Sequence, residues 1–166
     1  MTASLPELVV AMALLTLMAG LGFGQYANQL ARLQVEVAAR RLAVGLERGR
    51  VAAERMGEPC ALELGPWGWR GAQVPGAVAC AGADTALDEG LVRGEVVLAH
   101  TFSGPVRFAV HGLAIDGGMV LVRAPGTDLV RCLVMSPPLG VVRLGRFRGV
   151  ITHNPKATDC LPDPAL

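Results

Sequence analysis

Ser4-Leu5-Pro6-Glu7-Leu8 opens onto the uncharged run Leu8-Val9-Val10-Ala11-Met12-Ala13-Leu14-Leu15-Thr16-Leu17-Met18-Ala19-Gly20-Leu21-Gly22-Phe23-Gly24, which passes directly into a charged segment free of proline until Pro59. From Leu8 to Gly24 is 17 residues. At ~1.5 Å per helical residue they cover roughly 25 Å, the short end of what crosses the hydrocarbon core of a bilayer. Glu7 is the only charge before Arg32 and stands at the mouth of this apolar span. An isolated carboxylate there costs on the order of 2.5 kcal/mol or more unless it finds a cation, and the nearest candidate is the amino terminus of a neighbouring copy.

Downstream, Val35, Ala39, Leu42, Leu46, Gly49, Ala53 and Met56 recur at steps of four and three, which lines one face of a helix with apolar groups. The charged residues fill the remainder, and pairs such as Arg32 with Glu36 sit four apart, where each supports an exposed helix face by ~0.2 to 0.5 kcal/mol. The small members of the stripe, Ala39, Gly49 and Ala53, suit contact with a sheet better than a leucine-rich coiled-coil seam. Gly57-Glu58-Pro59 ends the helix.

Short apolar runs follow, separated by glycine and proline, and are expected as strands over Cys60–Leu64, a broken stretch Trp67–Val78, Val96–Ala99, Val106–Val110, Met119–Arg123, Leu129–Met135 and Val141–Phe147. Ser103-Gly104-Pro105, Asp116-Gly117-Gly118, Ala124-Pro125-Gly126 and Ser136-Pro137-Pro138 mark turns between them. Gly82–Gly94 reads as a loop and the tail from Thr152 as coil. The fold class is therefore α+β: a long amino-terminal helix, membrane-spanning in its first half, packed on an antiparallel sheet. Three regions result, an apolar membrane and assembly segment (1–24), its amphipathic continuation (25–58) and a sheet-rich periplasmic domain (59–166).

The chain has 15 basic and 14 acidic residues, so net charge gives no argument for a nucleic-acid partner. Distribution does. From Leu129 to Thr158 there is no acidic residue, while Arg131, Arg143, Arg146, Arg148 and Lys156 fall within that stretch. Such a field attracts polyanions, because arginine engages phosphate through paired donors in weak, salt-sensitive contacts. Val142 and Leu144 share a face, and a bulge at Gly145 would return Phe147 to the core and leave Arg146 and Arg148 outward. The competing reading is a solvated edge strand whose arginines discourage aggregation.

Cys60, Cys80, Cys132 and Cys160 fit no zinc template, and an amino-terminal export anchor favours disulfides. Of three pairings, Cys60 with Cys80 and Cys132 with Cys160 is preferred because each closes one segment of the domain. A cleaved signal peptide is disfavoured: no basic residue precedes the apolar run, and the helical pattern continues past Gly24. His100, His111 and His153 are far apart, and Ser103, Ser136 and Asp116 lie in turn contexts. No nucleophile, base and orienter set is present, so no enzyme, metal or cofactor is expected. Trp67 and Trp69 flank Gly68 and read as packing residues, with base stacking a minor alternative.

Ala3-Ser4-Leu5-Pro6-Glu7-Leu8-Val9-Val10-Ala11 resembles the start of a mature type IV pilin or pseudopilin, with Glu7 as its fifth residue. The segment Ala38-Ala39-Arg40-Arg41-Leu42-Ala43, continued by Arg50, Glu54, Arg55, Gly57, Glu58 and Pro59, resembles the minor-pilin family that groups GspH and FimT. The resemblance implies that Glu7 serves filament assembly by pairing with an amino terminus. It also implies a protein held singly in the inner membrane with its domain in the periplasm, later joining a pilus or pseudopilus with other pilin subunits. Prepilin peptidase would cut before Ala3 and the new terminus would be methylated; Thr2 stands where that family carries glycine. Gly145-Arg146-Phe147-Arg148 resembles the Gly-Arg-x-Arg motif of the FimT branch, which implies DNA contact in natural transformation. A type II secretion pseudopilin is the alternative, and a membrane-tethered periplasmic enzyme or binding domain a remote one.

Overall fold

The computed structural model describes residues 5–87, 96–151 and 155–163, and within the first helix it describes side chains over 5–18 and from 26 onward. That helix, α1, runs Leu5–Met56. Pro6 lies in its first turn, where a missing N–H costs nothing, and Glu7 places a carboxylate among the unpaired amides of the same turn. Gly57 ends it with a left-handed φ of 67°, its N–H donating to the Ala53 carbonyl at 3.1 Å. Only glycine adopts that conformation without steric cost, so the stop foreseen at Gly57 has a conformational basis.

Nine strands follow among the described residues: β1 Cys60–Gly65, β2 Gly68–Ala72, β3 Val78–Ala79, β4 Val97–His100, β5 Val106–Phe108, β6 Gly118–Arg123, β7 Arg131–Ser136, β8 Val141–Phe147 and β9 Cys160–Leu161. In the first sheet β1 lies between antiparallel β2 and parallel β3, and β5 meets it where Cys60 faces Phe108. The second sheet is antiparallel throughout, in the order β4-β6-β7-β8-β9. All four turn signals between Ser103 and Pro138 fall at the junctions of consecutive strands from β4 to β8, with Gly118 and Ser136 as end residues of β6 and β7.

The second half of α1 packs on both sheets through Val35, Ala38, Ala39, Leu42, Leu46 and Ala53, all buried. Small residues bring the backbones close. Trp69, fully buried on β2, donates its Nε1–H to the Leu42 carbonyl at 2.9 Å. A Cβ on Gly45 would lie 2.5 Å from the Trp69 ring, and one on Gly49 would lie 2.6 Å from Leu62 Cδ1 and 2.9 Å from Phe108 Cε2.

The second sheet is buried on two faces. Val120, Val122, Leu133 and Met135 face α1 with the half-buried Val142 and Leu144, while Met119, Leu121, Cys132, Val134, Phe147 and Cys160 form a smaller core on the other side. This removes the need for a bulge at Gly145. β8 pairs with β7 without interruption from Arg131↔Arg146 to Ser136↔Val141, and Phe147 is buried in the second core rather than returned to the first. The tail also departs from coil. A 3-10 turn, Ala157–Asp159, leads into β9, which pairs with β8 at Arg146↔Leu161 and Phe147↔Cys160. Of the expected loop Gly82–Gly94, the described part lies against β2, where Thr85 and Leu87 donate to the Trp69 and Trp67 carbonyls at 3.0 and 2.9 Å.

Gly49→Ala tests the close approach. Alanine in a helix interior gains about 1 kcal/mol over glycine, but overpacking against Leu62 and Phe108 costs typically 1–3 kcal/mol. The expected outcome in chemical denaturation is a net loss of stability, whereas the same change at an exposed helix site would be a gain.

Candidate functional site

Two features of the molecule stand out as candidates for a task beyond the fold: the exposed side chains of α1 over 5–18 and the arginines of the basic stretch. Every described side chain from Leu5 to Met18 is exposed, from 55% at Leu8 to 80% at Leu5 among the large apolar residues. Water contact at this many leucine, valine and methionine side chains is unfavourable by roughly 25 cal/mol per Å² of apolar surface, so the segment gains from any apolar cover. Glu7 is the one ionisable side chain in it. Among the described residues no helix is long and apolar enough to cross a membrane, so the membrane-spanning part of the expected fold class is not met in this structure. Gly20, Gly22 and Gly24 of the apolar run, with Thr2 and Ala3 of the expected processing site, lie outside the described residues or side chains.

The basic stretch does not form one surface. Arg131 is buried at 3% exposure on the helix-facing side of β7. Its Nε donates to Glu36 Oε1 of α1 at 2.8 Å, its Nη2 donates to the same oxygen, and its Nη1 donates to Asp163 Oδ2 at 2.6 Å. Burial opposes the charge on Arg131, but the hydrogen bonds to Glu36 and Asp163 outweigh it and hold the guanidinium above its ordinary pKa. Arg131 is therefore unavailable to phosphate. Glu36 serves the sheet rather than Arg32, because a buried cation offers a carboxylate far more than an exposed neighbour four residues away.

Arg146 faces Arg131 across the strands and is half-buried on the helix-facing side with Val142 and Leu144; Arg148 is exposed. Arg143 is exposed and, by the alternation of β8, stands on the opposite face with Phe147. Lys156 is exposed beside the 3-10 turn, and the Arg148 N–H donates to the Asp159 carbonyl at 3.0 Å, which holds the end of β8 against that turn. Within β8 the candidate cations divide between two faces, Arg146 on the helix side and Arg143 on the other, while Arg148 and Lys156 lie beyond the strand.

Both disulfides join the preferred pairs, Cys60–Cys80 with Cα atoms 4.9 Å apart and Cys132–Cys160 at 5.8 Å. They close separations of 20 and 28 residues, worth roughly 3 to 4 kcal/mol each in the chain-entropy account. The second also fastens the tail strand beneath Gly145 and Phe147. Asp116 is engaged by Arg107, whose Nε and Nη2 donate to it at 2.8 and 2.9 Å, which lowers the carboxyl pKa. His100 and His111 are exposed and distant in sequence, His153 lies outside the described residues, and among the described residues no metal-holding group of acids, histidines or cysteines occurs. The tryptophans differ: Trp69 is core, but Trp67 is 56% exposed. The packing role expected of both holds for Trp69 alone: the strand expected from Trp67 begins at Gly68, so alternation does not carry Trp67 to the side of Trp69.

Compared with protein-family models, curated proteins and solved structures, the chain finds no match.

Arg131→Ala strands the Glu36 and Asp163 carboxylates in a mostly closed site. The expected loss is about 3 kcal/mol in denaturant unfolding, since removing one member of a buried ion pair costs 3–5 kcal/mol. The methionine substitution, which preserves packing, should retain part of the loss through the same two unpaired acids.

Proposed function

We propose that the chain is a minor-pilin-like filament subunit, which assembles through the apolar half of α1 and presents the sheet domain at the filament surface. The observation that carries this reading is the unbroken helix itself: its second half is welded to the sheets, while its described side chains over 5–18, nearly all apolar, are exposed. Burial among the helices of neighbouring subunits satisfies such a segment at any length, and its 17-residue apolar run sits at the short end for a bilayer. Before assembly the inner membrane shelters it, with the domain in the periplasm, where two disulfides are chemically at home. After processing by prepilin peptidase, a methylated amino terminus supplies the cation for Glu7.

Glu7→Ala is expected to leave the domain's unfolding transition unchanged and to reduce incorporation into sheared filaments. The loss of one charge-assisted hydrogen bond, about 1.5–3 kcal/mol, corresponds to roughly ten- to a hundredfold. Undiminished incorporation would sink the assembly reading.

The pilus is preferred over the secretion pseudopilus because Arg143, Arg146, Arg148 and Lys156 place four cations on β8 and just beyond it, Arg146 half-buried and the other three exposed. These suit weak, sequence-independent contact with DNA phosphates. Replacing both Arg146 and Arg148 by alanine should lower duplex affinity and reduce the slope of log affinity against log salt by about 2. Equal binding across a salt series would remove DNA from the reading and leave the pseudopilin alternative in its place.

A further inference from the structure

We propose that a second site, independent of β8, binds single-stranded nucleic acid in the groove between α1 and the Asp84–Ala86 segment. The groove is lined on the helix side by Val37, Arg40, Arg41, Val44 and Arg48, residues that the 3.6-residue period brings to one face away from the core stripe. Arg41 is the fixed element: its Nη1 donates to the Ala86 carbonyl at 2.7 Å and ties the far wall to the helix. Arg40 and Arg48 are exposed and make no ion pair among the described residues. They lie eight residues apart, or about 12 Å along the helix, a distance over which an extended strand presents more than one phosphate.

Two exposed acids adjoin the site, Asp84 on its wall and Glu63 opposite Arg70 in the β1–β2 register, against the four arginines Arg40, Arg41, Arg48 and Arg70. Asp84 accepts the Gly71 N–H at 2.9 Å, and Glu47 is held by Arg50 of the next turn, whose hydrogen bond lowers the Glu47 pKa. On the other side of the same Asp84–Ala86 segment a second depression is lined by Trp67 and Arg70. Trp67 is largely exposed although the fold gives its neighbour Trp69 a complete burial site, and Arg70 is exposed beside it. A strand crossing this segment meets guanidinium groups for its phosphates and an open indole face for a base, the combination that sequence-tolerant single-strand binding requires. An acidic peptide would use the arginines but has no call on the indole face. The site lies on the β1–β2 side of α1, and the basic end of β8 belongs to the other sheet.

The full chain in detergent micelles, titrated with oligothymidylate of about 20 nucleotides, gives the test. Because Trp69 is buried, quenching of tryptophan fluorescence on binding reports Trp67. Arg40→Ala with Arg48→Ala should weaken binding at least about tenfold and flatten its salt dependence by about 1.4 in slope, the single-strand value for two phosphate contacts. Trp67→Ala should weaken it roughly five- to hundredfold and abolish the quench. All three side chains are exposed, so near-ultraviolet circular dichroism and thermal unfolding should match the parent. Arg146→Ala with Arg148→Ala should leave oligothymidylate binding intact, which separates failure of this site from failure of the β8 reading. Binding that is unchanged in the helix and Trp67 variants, is lost only in the β8 variant, or is matched by polyglutamate, would overturn the proposal.

Discussion

Two sheets that share no hydrogen-bonded ladder are held on one side of a single helix, and this arrangement requires the helix to present almost nothing but backbone along part of its buried face. Gly45 leaves room for the Trp69 ring, and Gly49 leaves room for Leu62 and Phe108. Larger residues above and below, Leu42 and Leu46, then fill the space between the sheets. The Trp69 indole completes the contact by hydrogen bonding to a helix carbonyl, so a large aromatic group is buried without an unpaired donor. With less space the two sheets would be pushed from the helix, and the second core behind β7 and β8 would have no support.

The Arg131 cluster places a polar lock at the other end of the same interface. One guanidinium joins α1 through Glu36, β7 through its own backbone and the tail through Asp163. Its specificity comes from the penalty for any arrangement that separates the three groups, not from a large net gain, since burying charges offsets much of their attraction. The Cys132–Cys160 disulfide acts on the same tail by a different route, limiting the unfolded chain. Rigid attachment of the domain to α1 has a functional corollary under the proposed reading: whatever holds the apolar half of the helix also fixes the orientation of the sheet domain.

Much of the fold was legible in local patterns. The stripe from Val35 to Ala53, the stop at Gly57, the turns between β4 and β8 and the preferred cysteine pairing all correspond to what the structure contains, because each depends on periodicity, backbone permissiveness or chain closure. Readings that assumed a single buried face went astray. A bulge at Gly145 was expected only because Phe147 lay out of phase with Leu144; with a core on each side of the sheet, both phases are buried and the strand stays regular. The same oversight made coil of a tail that supplies β9.

Sequence by itself determined the apolar run headed by Glu7, its continuation as a helix and the kinds of strand that follow, since these are set by residue type and spacing within a few turns of chain. Tertiary structure alone decided which charges are spent. Arg131 counted among the cations of a basic stretch until Glu36, 95 residues away, and Asp163 were brought to it. Arg40 and Arg48 looked like ordinary solvated helix positions until a loop and an exposed Trp67 were placed beside them. Charge acts through space over several ångströms and depends on burial, so its partners are fixed only when distant segments pack together.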